Sequence, residues 1–515
     1  MMDSISYRGG FVWNYLPDGS RQWGEMEAKR TMVWMQSPGT PQVGHVLLDA
    51  YHATGDEYYY QMAQHVTAAI IWGQLDCGGW NYLFDFAGET SLREWYATVG
   101  CAAWRLEEFQ HYYGNATYDD GATMDAAKLL LRMYVEKLDP AYRPALDKVI
   151  ALVLNSQYPS GGWPQRFPLM YDHPFGGLAD YSSFITLNDD VMPDIIEFLT
   201  YCYQTLGLTK AREPVMRAMY LMITLQQGAP YAGWADQYTV DDLRPAHARS
   251  YEPRSVNTGT TARVVELMLD YYRLTADTRF LAGIPAALDF LEAMTLPAKE
   301  VKKWTRPARD PEAKLLPRFV DPDTGQPLYV HRHGSNVYNG HYYTDRELSG
   351  TIAHYSSAAW VNIDALRQEY EQAKATPVEE LKLNSPFLNE NLVALPRYFT
   401  RLRGEVTSAD AERIIGQQLP NGSWLTPLSQ TSNPYLPYPG DNSPTPSNDT
   451  TYAKTRVGNT TYAKTRVDDT TYAETMVGDR YDTSPYTPTE STPCISTREF
   501  IQRMRTLIEV LAPAE

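Results

Sequence analysis

The chain has no long hydrophobic runs, no closely spaced cysteines and no excess of positive charge. No apolar stretch reaches the roughly 18 residues of a membrane-spanning helix, so no membrane partner is expected. Its four cysteines show no CxxC spacing, which argues against a zinc site or a dense disulfide framework. Lys and Arg number 45 against 62 Asp and Glu, for a net charge of -17. A nucleic-acid partner is therefore not expected either.

A signal peptide is also missing from the first ten residues, MMDSISYRGG, which have neither a basic start nor an apolar core. Either the protein is intracellular or a leader is absent from this sequence. Aromatic residues, in contrast, are abundant at 12%, with 38 Tyr and 12 Trp. Such rings stack on sugars and also fill large cores. At 515 residues, the chain suffices for two or three domains or one large toroid.

Helical periodicity covers most of the chain. It predicts helices at about 41–54, 56–75, 91–112, 121–138, 141–157, 189–206, 211–227, 257–275, 278–296, 355–375, 389–403, 407–419 and 497–511. Short turns at 206–209 and 275–278 join neighbouring helices, as in helical hairpins. Strand signals are few, the clearest at 318–330.

One turn recurs where predicted helices end. The run QLDCGGW at 74–80 returns as QYPSGGW at 157–163, with looser copies at 226–234 and 418–424. A glycine turn lets a Trp pack beside the neighbouring helix, and a Gln can bond the turn backbone. Repeated hairpins ending in one turn predict an all-α dominated fold, an incomplete α/α toroid with long loops and a small β-containing region.

Composition divides the chain into four parts. Residues 1–40 are predicted as an extended segment packed on the toroid, and 41–419 as the toroid, with 296–355 inserted toward its cleft. Residues 420–495 form a Thr/Tyr/Pro-rich insertion, and 496–515 a C-terminal helix. Within the insertion, TTYAKTRVGN recurs in three near-identical copies over 450–479, which is typical of a solvated arm or, alternatively, a binding arm.

The long loop at 161–190 is the first candidate functional segment. It contains Trp163 and Arg166 and closes on Asn188, Asp189 and Asp190 at the start of a predicted helix. Grouped oxygen ligands of this kind suit a hard cation such as Ca²⁺. An ordinary helix cap is the alternative, and it explains one of the two Asp residues.

Two further groups lie later in the chain. Trp234, Arg249 and Glu252 fall in one loop region after a helix, a combination that suits a carbohydrate site. The run His-Arg-His-Gly at 331–334 follows a predicted strand. On a strand His331 and His333 share one face and Arg332 the other, so the two His lack a third zinc ligand. A solvated basic turn is the alternative.

Together these segments resemble the toroidal pectate lyases, polysaccharide lyase family 10. The family's GGWPQxxPL and TFND elements correspond to residues 161–169 and 186–189. Its WxxQ and ARAYEP elements correspond to 234–237 and 248–253. Its RFY, NRPIF and GRDG elements correspond to 318–320, 326–329 and 331–334.

The resemblance implies β-elimination of a pectate-like polyuronate. It makes Arg332 the catalytic base and Asp189 a contact for calcium and substrate. The acidic triplet itself adds Asp190 as a second expected metal ligand. Calcium is the implied cofactor and an anionic polysaccharide the partner, for a monomer that is secreted or periplasmic. His331, His333 and Tyr338 are chemically easier bases and serve as fallbacks. The expected substrate-binding residues are Trp163, Arg166, Asn188, Trp234, Arg249, Glu252, Arg318, His331, His333 and Arg346.

The sequence departs from the family at three places. His333 replaces the Asp of GRDG, Tyr238-Thr239 replace a His-Asp pair, and residues 345–350 reduce the ERRNGY element to DRELSG. A non-catalytic protein that binds acidic glycans on a lyase scaffold is therefore one alternative. Another is a toroidal glycoside hydrolase that uses two carboxylates, Asp189 or Asp190 with Glu252 or Asp236.

Overall fold

The computed structural model describes most of the chain. The described residues are 5–103, 108–174, 177–302, 304, 306–333, 341–349, 351–352, 356–389, 394–400, 406–429, 431, 464–466, 472–474 and 491–512. The α-helices are α1 (Thr40–Thr54), α2 (Glu57–Trp72), α3 (Glu89–Thr98), α4 (Ala122–Lys137), α5 (Arg143–Asn155), α6 (Val191–Leu206), α7 (Arg212–Leu225), α8 (Thr258–Thr275), α9 (Arg279–Ala282), α10 (Ile284–Ala293), α11 (Ala298–Val301), α12 (Ile363–Ala375), α13 (Val378–Asn384), α14 (Ser408–Gly416) and α15 (Thr497–Leu511).

The strands are short and form small antiparallel sheets. They are β1 (Asn14–Tyr15), β2 (Gln22–Trp23), β3 (Met32–Trp34), β4 (Leu83–Asp85), β5 (Ala116–Thr117), β6 (Arg166–Phe167), β7 (Ile185–Thr186), β8 (Gln237–Tyr238), β9 (Pro245–Ala246), β10 (Val256–Asn257), β11 (Lys314–Pro317), β12 (Phe319–Val320), β13 (Pro327–His333), β14 (His341–Asp345), β15 (Ala358–Val361), β16 (Thr426–Pro427), β17 (Lys464–Arg466), β18 (Tyr472–Glu474) and β19 (Pro493–Ser496).

Helical hairpins build the body of the molecule. Helices α1, α4, α6 and α8 pair with α2, α5, α7 and α10, respectively, and α4 packs between α1 and α6. Helix α12 covers α8 and α10, and α15 covers α1. The middle of α4, from Leu129 to Leu131, is fully buried, as an inner helix requires. The prediction of an all-α dominated, incomplete α/α toroid is confirmed.

The repeated turn is a structural device of this toroid. Each Trp is buried, and its Nε1 donates to a carbonyl of the preceding helix at 2.8 or 2.9 Å. Each Gln donates Nε2 to a carbonyl of its own turn at 2.8 to 3.0 Å. The predicted repeat is confirmed in its four copies, whose Gln and Trp residues are Gln74 and Trp80, Gln157 and Trp163, Gln226 and Trp234, and Gln418 and Trp424.

Four predicted helices differ in the structure. The one predicted at 355–375 begins at Ile363, because residues 358–361 form β15 and pair with β11. The helix predicted at 91–112 ends at Thr98, and the one at 278–296 breaks at Gly283. The helix predicted at 389–403 is wrong, because the described residues 394–400 are not helical. The carboxylate of Asp49 accepts hydrogen bonds from the backbone N–H groups of Phe399 and Thr400 at 3.1 and 2.8 Å. These N–H groups bind a side chain of α1 instead of a helical carbonyl.

This non-helical segment lies across one end of the inner helices. The ring of Phe399 stacks on His45 of α1 with 5.3 Å between ring centroids, and the Arg132 guanidinium of α4 lies 4.2 Å from the same ring. The carbonyl of Ala394 accepts from Gln204 of α6. Strands β5 to β10 lie at the other end, where α4, α6 and α8 begin. No helix among the described residues is long and apolar enough to cross a membrane.

Candidate active site

Two turns with the same backbone precede α4 and α6. Each follows a two-residue strand, β5 or β7, and forms a single 3₁₀ turn, Asp119–Gly121 or Asn188–Asp190. Asp120 and Asp189 occupy the same place and the same left-handed conformation, with φ of 49° and 52°. Left-handed backbone is rare outside glycine and is concentrated at functional sites. The matching turns aim two acidic side chains at one place.

These turns create an acidic cluster of Asp119, Asp120 and Asp189. One carboxylate oxygen from each lies within 4.8 Å of the others. Asp119 is buried, whereas the Asp189 side chain is 30% exposed, so the cluster reaches solvent on that side. Burial, followed by the charges of Asp119 and Asp120, raises the pKa of Asp189 well above its usual range. Such crowding is relieved when a cation binds.

Arg249 lies at the centre of the surrounding carboxylates and is 1% exposed. Its Nη2 donates to Glu108 and Asp119 at 2.8 Å each. Its Nη1 donates to Glu252 at 3.1 Å and to Asp189 at 3.5 Å. Burial works to lower the pKa of Arg249, but the carboxylates outweigh it and hold the pKa well above its usual value. Arg249 therefore joins the two turns through one permanent positive charge.

The carboxylates near the cluster outnumber the single positive charge of Arg249. Gln36 donates Nε2 to Glu25 at 2.9 Å and to Asp120 at 2.5 Å, which brings another carboxylate close to the first turn. The hydroxyl of Tyr82 donates to Glu108 at 2.9 Å. Four carboxylates contact Arg249 directly, and the Gln36 amide links Glu25 to Asp120 beside them. The carboxylates close enough together to hold one hard divalent cation such as Ca²⁺ are Asp119, Asp120 and Asp189.

Asn188 adds a neutral oxygen to this site. Its Nδ2 donates to Asp189 at 2.9 Å, while its Oδ1 is buried with no hydrogen-bond partner among the described residues. The residue lines a cavity of about 280 Å³ together with Asp189, Asp190 and Arg318. A buried amide oxygen without a partner costs about 1–3 kcal/mol unless a ligand or water satisfies it. The second turn thus offers an additional oxygen beside the cluster.

Asp236 fixes the second turn from behind. Its carbonyl accepts from the N–H of Leu187 at 2.7 Å and of Asn188 at 3.2 Å. Its carboxylate accepts from Asn257 Nδ2 at 2.8 Å and from the Thr260 hydroxyl. Burial raises the pKa of Asp236. Both carboxylate oxygens of Asp236 therefore accept a hydrogen bond, Oδ2 from Asn257 and Oδ1 from Thr260.

Several residues predicted to touch substrate are instead buried. Trp163 and Trp234 are 0% exposed, which leaves no face for a sugar. Arg166 is 2% exposed between the rings of Tyr82 and Tyr113, and its Nη1 donates to Asn81 at 3.1 Å. Arg249 and Glu252, also predicted to touch substrate, are buried as well, each 1% exposed, and they bind each other.

Of the two residues predicted as metal ligands, Asp189 lies in the acidic cluster and Asp190 does not. Asp190 lies outside the cluster, and Arg263 of α8 donates Nε to it at 3.0 Å. The sequence analysis did not identify Asp119 and Asp120. A signal for them was present, because TYDDG at 117–121 matches TLNDD at 186–190 in spacing and both precede a helix.

The predicted His-Arg-His segment lies on β13, paired with β14. His331 is buried, with its Nε2 2.9 Å from Asp345 and 3.0 Å from the carbonyl oxygen of Glu347. Arg346 is exposed and donates to the carbonyl of Pro327. The backbones of Arg332 and His333 belong to β13, but their side chains, like all of Tyr338, lie outside the described part of the chain.

Backbone pairing shows where Arg332 lies relative to the acidic cluster. Its backbone pairs with Tyr342, whose ring lies 5.5 Å from the ring of Tyr251. Tyr251 lies in the turn between Arg249 and Glu252, where the Glu252 N–H donates to the Arg249 carbonyl at 2.7 Å. The β13–β14 hairpin therefore contacts the turn that carries Arg249.

Comparison with known proteins gives one family match. Residues 96–347, close to half of the chain, match the family model described as pectic acid lyase. No curated protein matches the chain. Among solved structures, the family 10 polysaccharide lyase from Cellvibrio cellulosa is 18% identical, with a TM-score of 0.39 over 55% of this chain and 84% of that one.

Two more solved structures show the range of these likenesses. A variant of the Cellvibrio cellulosa lyase in complex with trigalacturonic acid is 17% identical, with a TM-score of 0.43 over 65% of this chain and 99% of that one. Cellobiose 2-epimerase from Spirochaeta thermophila is 11% identical, with a TM-score of 0.35 over 72% and 92%. The region matched by the family model contains the three motifs and the acidic cluster, and the chain resembles the pectate lyases of polysaccharide lyase family 10.

Proposed function

We propose that the protein is a polysaccharide lyase that cleaves a pectate-like polyuronate by β-elimination. The observation that carries the proposal is the convergence of Asp119, Asp120 and Asp189 inside the segment that matches the pectic acid lyase model. An anionic polysaccharide is the substrate, met by a monomer that is secreted or periplasmic.

The acidic cluster is the proposed calcium site. Asp119, Asp120 and Asp189 would hold the ion, and the amide oxygen of Asn188 is available as a further ligand. When bound, Ca²⁺ neutralises the C6 carboxylate of a uronate and stabilises negative charge that develops on it. Arg249 holds Asp119 and Asp189 at a fixed separation, and Asp236 fixes the backbone of Leu187 and Asn188.

Arg332 is the proposed base. It would remove the proton from C5 of the uronate, after which the bond between C4 and its oxygen breaks and a C4–C5 double bond forms. An Arg can act in this way only when neighbouring positive charge and desolvation lower its pKa. The contact between Tyr342 and Tyr251 supports a position of this strand near the cluster. His331 is the weaker candidate, because Asp345 and the Glu347 carbonyl already bind its Nε2.

A second function has one observation in its favour. His333 stands where the family motif has an Asp beside the base. Loss of that acid changes the surroundings of Arg332, which favours a protein that binds acidic glycans without cleaving them. Such a protein would keep the cation site, since Asp119, Asp120 and Asp189 do not depend on β13.

The test is ultraviolet absorbance of the unsaturated uronide on a panel of polyuronates, with Ca²⁺ and with chelator. We expect Ca²⁺-dependent product from the wild type and none from Arg332→Ala. Arg367→Ala is the matched control, because Arg367 is an exposed arginine paired with Asp289 on the outer side. Retention of the polymer in affinity electrophoresis without product would select the binding function. Reducing ends without the unsaturated product would select a hydrolase.

A further inference from the structure

A second cavity lies between two inner helices, and it shares Arg263 and Leu267 with the smaller cavity beside the acidic cluster. It has a volume of about 690 Å³, within the range of about 300–1,000 Å³ typical of ligand pockets. One face of α6, from Pro193 to Gln204, and one face of α8, from Arg263 to Leu274, form its long walls. Helices α12 and α13 complete it. Its lining does not include the three Asp residues of the cluster.

Two carboxylates on α6 are held in place at this cavity. Asp194 and Glu197, one helical turn apart, both contact the buried Nζ of Lys128 on α4, at 2.8 Å for Asp194. Their side chains are still 24% and 48% exposed. Fixed carboxylates that remain accessible can accept hydrogen bonds from two neighbouring hydroxyl groups.

Tyr271 supplies an independent sign of a ligand. The residue lines the cavity and is 3% exposed, and its hydroxyl has no hydrogen-bond partner among the described residues. Buried tyrosine hydroxyls normally have a partner. Tyr201 adds a second aromatic ring to the lining, with its hydroxyl bound to Glu197 at 2.9 Å. The partly exposed ring of Tyr201 beside fixed acceptors suits a pyranose ring, whereas buried Tyr271 offers only its hydroxyl.

The charges of the lining select against an acidic ligand. Arg263 already binds Asp190 at 3.0 Å, and Arg273 binds Asp270 at 2.8 Å. Acidic side chains outnumber these two arginines along the lining; they are Asp194, Glu197, Asp270 and Glu380. A carboxylate placed here would meet acids, whereas the hydroxyl groups of a neutral sugar would meet acceptors, donors and rings.

From these observations we infer that the cavity between α6 and α8 binds a neutral mono- or disaccharide, separately from the acidic cluster. The inference does not depend on the proposed lyase function, because none of its residues belongs to the proposed cation site or to β13. The site would let the same protein hold a neutral sugar while an acidic glycan occupies the cleft.

The experiment is titration calorimetry of the full chain with galactose, glucose, mannose, lactose and cellobiose. At least one should bind saturably, and excess galacturonate should not displace it. Tyr271→Phe should weaken binding about five-fold and Glu197→Gln about ten-fold, as expected for a neutral and a charged hydrogen bond. The matched controls, Tyr58→Phe on α2 and Glu213→Gln on α7, should bind as the wild type does, since both residues are exposed on outer helices.

Three results would overturn the inference: binding of none of the five sugars, equal binding by wild type, Tyr271→Phe and Glu197→Gln, or displacement by excess galacturonate. Tyr271→Phe removes a single oxygen and keeps the test valid if Glu197→Gln does not fold. Lyase activity measured in parallel keeps this result apart from the proposed function.

Discussion

The turn before α4 and the turn before α6 have the same backbone but different side chains. Asp119, Asp120 and Gly121 in the first correspond to Asn188, Asp189 and Asp190 in the second. The middle position is Asp in both, and both Asp residues enter the cluster. The flanking positions differ: the first turn supplies a buried charge, and the second a neutral amide.

The last position of each turn is Gly121 in the first and Asp190 in the second, and the two residues have different consequences. Gly121 and Asp190 both have left-handed backbone, with φ of 70° and 53°. Glycine adopts it at little cost, whereas a residue with a side chain is strained. A Cβ at Gly121 would lie 2.5 Å from Asp125 Oδ2, so a side chain in the first turn would require Asp125 to move. The second turn accepts the strain and places Asp190 on Arg263, at the boundary between the cluster and the cavity of α6 and α8.

The largest effect is expected from breaking the link between the two turns. Arg249→Met leaves four carboxylates without their shared cation, and it should lower the free energy of unfolding by about 3–5 kcal/mol, as for other broken buried ion pairs. Denaturant unfolding without added metal measures this. Arg273→Met, an exposed arginine paired with Asp270, is the control and should change stability by less than about 1 kcal/mol. Equal effects of the two substitutions would refute a central role for Arg249.

The two middle Asp residues should prove equivalent for cation binding. Asp120→Asn and Asp189→Asn each remove one anionic ligand, so each should weaken Ca²⁺ binding by about 100-fold or more, since loss of an outer-shell partner alone costs up to about 100-fold. Calorimetric titration with Ca²⁺ measures the affinity. Asp190→Asn serves as the matched control and should retain binding. If Asp190→Asn weakens Ca²⁺ as much as Asp189→Asn does, the originally predicted pair is the correct one.

One turn further along α4 and α6, Asp125 and Asp194 make the stability of the protein depend on pH. Burial, with the charge of Asp194 next, raises the pKa of Asp125 to about 7. Asp125 therefore keeps its proton in the folded protein at pH values where the same carboxyl in the unfolded chain has already lost it. Stability contributed by this group is present at low pH and is lost as pH rises toward 7.

Asp125→Asn should remove that dependence. Relative to the variant, the wild type should lose about 3 kcal/mol between pH 4 and pH 7. The comparison with the variant is necessary because burial lowers the pKa of neighbouring His45 to about 3, which gives a slope of the opposite sign. Thermal or denaturant unfolding across this range decides the matter. Parallel profiles of the two proteins would contradict the raised pKa.

The smallest effects come from exchanging the last residues of the two turns. Asp190→Gly relieves backbone strain and should change stability by less than about 1 kcal/mol. Gly121→Asp should destabilise by about 1–3 kcal/mol, because its Cβ would meet Asp125. Denaturant midpoints measure both. Equal tolerance of the two exchanges would show that the turns differ by chance.

The sequence was informative where one local pattern determines the structure. Helical period and the Gln–Gly–Trp turn predicted the hairpins, since apolar spacing and a glycine turn act within a few residues. The sequence was misleading at residues 394–400, whose backbone donors bind Asp49, some 350 positions earlier in the chain. Such a partner leaves no mark on the local pattern.

The site was predictable only in part for the same reason. The triplet at Asn188 identified one turn, but the cluster requires Asp119 and Asp120 from another hairpin, and Arg249 from a third region to join them. Trp163 and Arg166 looked available for substrate because sequence alone does not show the rings and carbonyls that bury them. The division into four parts, and the roles of Arg332 and His333, stay predictions.

The most direct measurement of the central claim is product absorbance from polygalacturonate as Ca²⁺ is titrated, for the wild type, Asp120→Asn and Asp189→Asn. The account predicts an unsaturated product that depends on Ca²⁺ in the wild type, and a requirement for far more Ca²⁺ in both variants. A product that forms equally well with chelator, or an Asp120→Asn variant identical to the wild type, would contradict a single cation site built from two repeated turns.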